Sequence, residues 1–266
     1  MNPALARAAA LLAAVAAIPA AAILTRADRD DGEYRELATR YPATVSLGAA
    51  GGAGVLIGPR WVLTAAQPAA ALRDRKPAAT VVIAGQAHGV QAVFIHPDWK
   101  PGGDADIALV LLREAAVDAA TSPIYRSGDE AGEAVRLVGF GETGAIGAKA
   151  PGPADGKARA AINTVDRVGP RTLGLRIKPK EEASDLQGAA APGDAGAPGY
   201  LEVGGRIFVG GIVSAAEDAN GDGIRGNVGD WDRLTRVSAF AAWIDEVTGR
   251  LAAEEAAAAV GDTERR

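Results

Sequence analysis

Residues that could carry chemistry fall in a few short stretches of this chain. One is Asp218-Ala219-Asn220-Gly221-Asp222-Gly223-Ile224. Side-chain oxygens at alternate positions, a glycine for the sharp turn and a backbone carbonyl from Ile224 make a spacing that suits calcium. Asp230, or in its place Asp232, would complete the shell. A helix–loop–helix calcium site would carry glutamate one residue earlier, where this chain has Gly229, and no helix pair flanks the loop. Calcium is the one cofactor expected, against the alternative of a polar turn that binds nothing. His88 and His96 are the only histidines; without cysteine or a nearby His/Asp cluster, neither has the company of a zinc ligand. A surface or core role is expected for both. The last stretch is Pro192-Gly193-Asp194-Ala195-Gly196-Ala197-Pro198, a loop of small residues around a single carboxylate.

The elements that hold these residues read as strands. Apolar, β-rich runs occur at 44–47, 54–57, 61–64, 80–84, 90–96 and 104–112, and again at 135–144, 157–168, 171–177 and 202–214. Gly58-Pro59 and Gly204-Gly205 mark hairpin turns. The 34 glycines and 15 prolines fit a strand-and-turn protein rather than a helical bundle. A short helical turn is expected within 28–40, a mobile Gly/Ala/Pro loop at 144–156, and a helix running from the 234–244 region to about residue 259. The polar stretch 122–130 reads as a link between two halves.

Several of these stretches, taken in order, resemble the signatures of trypsin-like serine peptidases. The 192–198 loop resembles that family's Gly-Asp-Ser-Gly-Gly-Pro. Thr64-Ala65-Ala66-Gln67 resembles its Thr-Ala-Ala-His, Asp106-Ile107-Ala108-Leu109 matches its Asp-Ile-Ala-Leu, and Gly139-Phe140-Gly141 resembles its Gly-Trp-Gly. Gly211-Ile212-Val213-Ser214 is similar to its substrate-pairing strand, and 234–244 to its closing strand and helix. The resemblance implies an all-β fold of two six-stranded antiparallel barrels with a C-terminal α-helix. Its boundaries would be a signal peptide at 1–22, barrels at 23–125 and 126–250, and a helical or frayed tail at 251–266.

The resemblance also assigns roles. Gln67 stands where the general base belongs, and an amide does not titrate near neutral pH. Ala195 stands where the nucleophile belongs, and a methyl group attacks nothing. Asp106 keeps the carboxylate that orients the base. Either the Gln67 amide donates to it, or backbone amides and Ser214 hold it alone. The N–H groups of Gly193 and Ala195 would form an oxyanion hole. Ala189 takes the selectivity position, with Ser214 beside the pocket; with no carboxylate at 189–191, a small or apolar guest is expected. Cleavage after Ala20-Ala21-Ala22 would free Ile23, whose amine would pair with Asp194. Otherwise cleavage falls elsewhere, and Asp194 bonds amides or an arginine.

Composition adds a compartment. Arg7, the apolar run 8–18 and the small residues 19–22 have the order of a signal peptide, with an uncleaved anchor as the alternative. The run is shorter than the ~20 residues a membrane span needs. A secreted or periplasmic protein is expected, with no membrane association after cleavage. The net charge of −5 offers no basic surface for nucleic acid. The function that follows is a catalytically inactive homologue that binds a peptide or protein. The rivals are a weakly active hydrolase with a non-standard site, and a calcium-stapled structural domain.

Overall fold

The computed structural model describes residues 23–75 and 79–263; the stretch read as a signal peptide lies outside the described residues. The chain runs β1 (Leu24–Thr25), α1 (Asp31–Ala38), β2 (Thr44–Ser46), β3 (Ala53–Gly58), β4 (Trp61–Thr64), α2 (Ala66–Asp74), β5 (Thr80–Ile83), β6 (Gln86–Ile95) and β7 (Ala108–Leu112). It continues through β8 (Ala134–Gly139), β9 (Gly144–Ala145), β10 (Arg159–Thr164), β11 (Arg167–Val168), β12 (Thr172–Arg176), β13 (Gly188–Ala189), β14 (Pro198–Val203), β15 (Arg206–Glu217), β16 (Trp231–Arg236) and α3 (Ala241–Thr263). The expected all-β class with a C-terminal helix is what forms.

In the first half, β2-β3-β4-β7-β6-β5 close into a six-stranded barrel. The second half is a seven-stranded sheet of order β10-β8-β14-β15-β16-β12-β11, every pair antiparallel. β7 shows why its sequence is apolar without alternation. Val110 and Leu112 point into the barrel with Val45 and Leu56, while Leu109 faces the junction with Tyr200 and Ile212. A strand buried on both faces has no polar face to present.

The local departures from the sequence reading have local causes. The 157–168 run divides into β10 and β11, because Val165 and Asp166 turn to donate to the Glu133 and Gly174 carbonyls. The 144–156 loop is anchored at its start, since β9 lies parallel to β1, and Thr143 bridges Gly152. The 122–130 link is pinned where Tyr125 donates to the Val209 carbonyl at 2.8 Å. Helix α2 follows Ala65 directly, where no helix was expected. Its Ala-Gln-Pro-Ala-Ala-Ala-Leu-Arg-Asp sequence favours helix, and Pro68 sits in the first turn, where its missing N–H costs nothing. No helix among the described residues is long and apolar enough to cross a membrane.

Candidate functional site

A cleft of about 650 Å³ lies where the two halves meet. Gln67 comes to it from the first turn of α2, and Gly193 and Ala195 from the 192–198 loop. Ser214 and Ala216 come from β15. Asp218 and Ile224 form part of its rim.

Asp106 is buried beneath this cleft with both oxygens engaged. Oδ1 accepts the N–H of Ala66 at 2.8 Å and of Gln67 at 3.3 Å; Oδ2 accepts from Ser214 Oγ at 2.8 Å. Ala66 and Gln67 begin α2, so these N–H groups have no partner within their own helix. Asp106 therefore caps α2 from a different segment of chain, with its charge at the positive end of the helix. The exposed Gln67 side chain takes no part. Of the two ways of holding Asp106, the structure adopts backbone amides with Ser214.

Ser214 reaches Asp106 because β15 is irregular there. The register against β16 shifts between Val213 and Ala215, leaving Ser214 as the extra residue. A bulge of this kind re-aims one side chain while the strand continues.

The 192–198 loop is held from below by Asp194, which is fully buried. Its oxygens accept the N–H of Gly141 at 2.7 Å, Ala191 at 2.9 Å and Ile23 at 3.0 Å. Burial pushes this carboxyl up to about 6, opposed by those amide donors. Gly141 must be glycine, since a Cβ would come within 2.6 Å of the Pro192 carbonyl oxygen. Gly193 has φ +91°, the left-handed region where glycine is at ease. The N–H groups of Gly193 and Ala195 find no acceptor among the described residues. Ala197, where the resembling motif has glycine, packs wholly in the core.

Ile23 and Leu24 are buried at the other side of Asp194. β1 is clasped between β13 and β9, with Leu24 opposite Ala189 and Gly144. The following turn is tied down where Arg26 N–H donates to the Tyr34 hydroxyl at 3.1 Å, which donates to the Gln187 carbonyl at 2.9 Å. Ile23 has φ +53°, a strained value for a β-branched residue joined to a preceding one.

Ala189 proves to be covered. It packs against Leu24 and Ile177 and does not line the cleft; Ala190 and Ala191 do. Behind Ala190 lies a buried carboxylate. Asp232, which sequence reasoning did not single out as a pocket residue, is fully buried on β16 and accepts the Ala190 N–H at 2.9 Å. Burial pushes its carboxyl up to about 7, the nearby Asp194 and Asp230 adding to the effect against the Ala190 donor. The signal in the sequence was slight: Asp232 stands between Trp231 and Arg233, and alternation alone did not say which face it takes.

In the 218–230 loop, Asp218 accepts the N–H of Gly221 at 2.7 Å and Gly223 at 2.8 Å; Asn220 accepts from Asp222, and Asp222 from Ile224. Asp230 does not complete a shell with them. It is buried, and its oxygens accept the Ala219 and Asn227 N–H groups, fixing the base of the loop. Among the described residues no three of His, Cys, Asp and Glu gather as a metal set. His96 is a packing residue, edge-on to Phe240 and Trp243 at 5.0 Å from each; its partial burial lowers its pKa.

The trypsin family model matches residues 31–244. The chain belongs to the trypsin family. Among solved structures it is similar to neuropsin, a serine protease expressed in the limbic system of mouse brain. The TM-score is 0.61 at 18% identity, covering 78% of this chain and 95% of neuropsin. At that identity the likeness concerns the fold alone. No curated protein matches. The three stretches that resemble the family's motifs in sequence, around Gln67, Asp106 and Ala195, come together at or beneath the cleft.

Proposed function

We propose that the protein is an exported, non-catalytic member of the trypsin family that holds a peptide, or a segment of a protein, in the cleft between its halves. The observation that carries this reading is a formed cleft with a methyl group at 195 and an amide at 67 on its wall. Acyl transfer needs a nucleophile and a base, and these side chains supply neither. Binding needs less. The N–H groups of Gly193 and Ala195 are backbone groups and can hold a carbonyl or carboxylate oxygen. Among the described residues, β15 beyond Val213 is paired with β16 alone, leaving its other edge for an extended segment.

Purified protein is expected neither to hydrolyse fluorogenic peptides nor to react with a fluorophosphonate. Labelling by that probe would overturn the reading in favour of a hydrolase with another nucleophile. Ala195→Ser alone should gain little, having no base; Gln67→His with Ala195→Ser should gain measurable hydrolysis.

The same reading includes three further roles. Ile23 is proposed as the mature N-terminus, its amine paired with Asp194. The strained φ supports this, because a first residue has no such torsion to satisfy. Calcium is proposed as a staple of the 218–224 loop, supported by the alternate oxygens that the loop's own N–H groups hold in place. Export to the periplasm or exterior is proposed from the signal-peptide pattern at 1–22. Nucleic acid is not proposed as a partner, and neither is the membrane after cleavage.

A further inference from the structure

Three charged side chains line the cleft: Lys149, Asp218 and Arg225. The acid is already engaged, since Asp218 accepts the N–H groups of Gly221 and Gly223 in its own loop. The two cations are not. Lys149 and Arg225 are exposed and have neither a hydrogen bond nor an ion pair among the described residues. Against a chain of net charge −5, the unpaired charges on this rim are both positive.

The two cations belong to separate loops that the fold ties together. Gly147 donates to the Gly226 carbonyl at 3.0 Å, and Ile146 to the Thr25 carbonyl at 2.8 Å. Gly226 lies so close to β1 that a Cβ there would come within 2.6 Å of Leu24. Both loops therefore rest on β1. Lys149 lies two residues beyond Gly147, and Arg225 one residue before Gly226, so the same junction carries both charges. Like charges gathered at one edge of a cleft raise a positive potential there, and an arriving anion is steered to it. The deep wall offers no such place, because the Asp232 carboxylate lies behind Ala190.

We infer that the segment held in the cleft is acidic, with Asp or Glu side chains that meet Lys149 and Arg225 at the rim. The inference rests on the reading of the cleft as a peptide site and adds what the peptide must carry. The Arg225 guanidinium can bond a carboxylate through two parallel donors, and the Lys149 ammonium contributes a point charge beside it.

Two libraries of capped peptides test this, one containing Asp and Glu and one lacking them. The protein is expected to enrich acidic members of the first. The most enriched peptide and its counterpart with Gln and Asn in place of the acids are then titrated by calorimetry. The acidic peptide should bind about tenfold tighter at about 0.02 M salt, and most of that advantage should vanish at about 0.5 M. Lys149→Gln and Arg225→Gln, both at exposed positions, should each weaken it about two- to fivefold and leave the neutral counterpart unchanged. Lys100→Gln removes the same charge from an exposed position outside the cleft lining and should leave both peptides unchanged. Equal binding of the two peptides, parent-like binding of the acidic one by both cleft variants, or the same loss in Lys100→Gln overturns the assignment. Enrichment from both libraries without preference for acids refutes the role of Lys149 and Arg225 alone. Enrichment from neither refutes the peptide reading as well.

Discussion

Three buried aspartates divide the work around the cleft: Asp106 and Asp194 are bonded at both oxygens, and Asp232 at one. The family motifs carried Asp106 and Asp194 to their places by sequence alone. Asp232 belongs to no such motif, and its direction was decided by pairing with β15 and β12. Its raised pKa has a consequence for stability. In the unfolded chain an aspartate titrates near 3.9, whereas the folded Asp232 titrates at about 7, so the native state binds the extra proton between those values. The stabilisation is complete below about pH 4 and is lost as pH rises through about 7. Denaturation by urea across that range should show stability falling with pH, and Asp232→Asn should flatten the upper part of the fall. A rise over the same window would contradict this assignment. Asp194, at about 6, pulls in the same direction as long as Ile23 meets it through an amide. An ammonium at Ile23 would hold Asp194 ionised and reverse its contribution.

At the scale of the element, β1 is among the shortest strands and joins two others. Its two residues join β13 to β9 and bring Ile23 to Asp194. If Ile23 is the first residue of the mature chain, one added N-terminal alanine should cost about 3–5 kcal/mol, the usual loss when a buried ion pair is broken. Thermal denaturation of protein starting at Ile23 and at the added alanine measures this, and equal melting temperatures would count against the pairing. N-terminal sequencing of exported protein checks the start itself. The 218–224 loop answers to a different experiment. A ligand that binds only the folded state at a hundredfold excess over Kd adds about 2.7 kcal/mol. Chelation should lower the melting temperature, and Asp222→Ala should abolish the difference. Superimposed curves would make the loop a turn. Elements with a strong period or a glycine turn, such as the β3–β4 and β14–β15 hairpins, were legible in the sequence. β1, β9 and β13 were not. Each is two residues long and carries no periodicity; β1 is held because β13 and β9 flank it, and each of those pairs in this sheet with β1 alone.

For the molecule as a whole, the order of motifs along the chain was enough to anticipate the trypsin fold, because each motif sits at a point where the halves meet. What the order could not convey is which small residues stay in contact with solvent. Ala189, Ala190 and Ala191 are chemically identical, yet the first is sealed by Leu24 and the others face the cleft. Both halves also depend on the single long strand β15. It holds the 122–130 stretch at Val209, enters the core at Ile212, meets the first half at Ser214 and ends beside the 218–230 loop.

The irregularity at Ser214 sets a limit on which changes of chain length this fold can absorb. A substitution at 67 or 195 alters only a side chain. Loss of one residue at 214 is a different event. The strand would have to turn over everything from Ala215 onward, or slide everything before it by one place, since side chains alternate with a period of two. Either course parts Ala216 from Asp232, or Gly211 from Arg236. A deletion in the exposed Gly204-Gly205 turn disturbs neither pairing. Among variants of this protein, a one-residue deletion at 214 should therefore lower the melting temperature more than a substitution at 67 or 195.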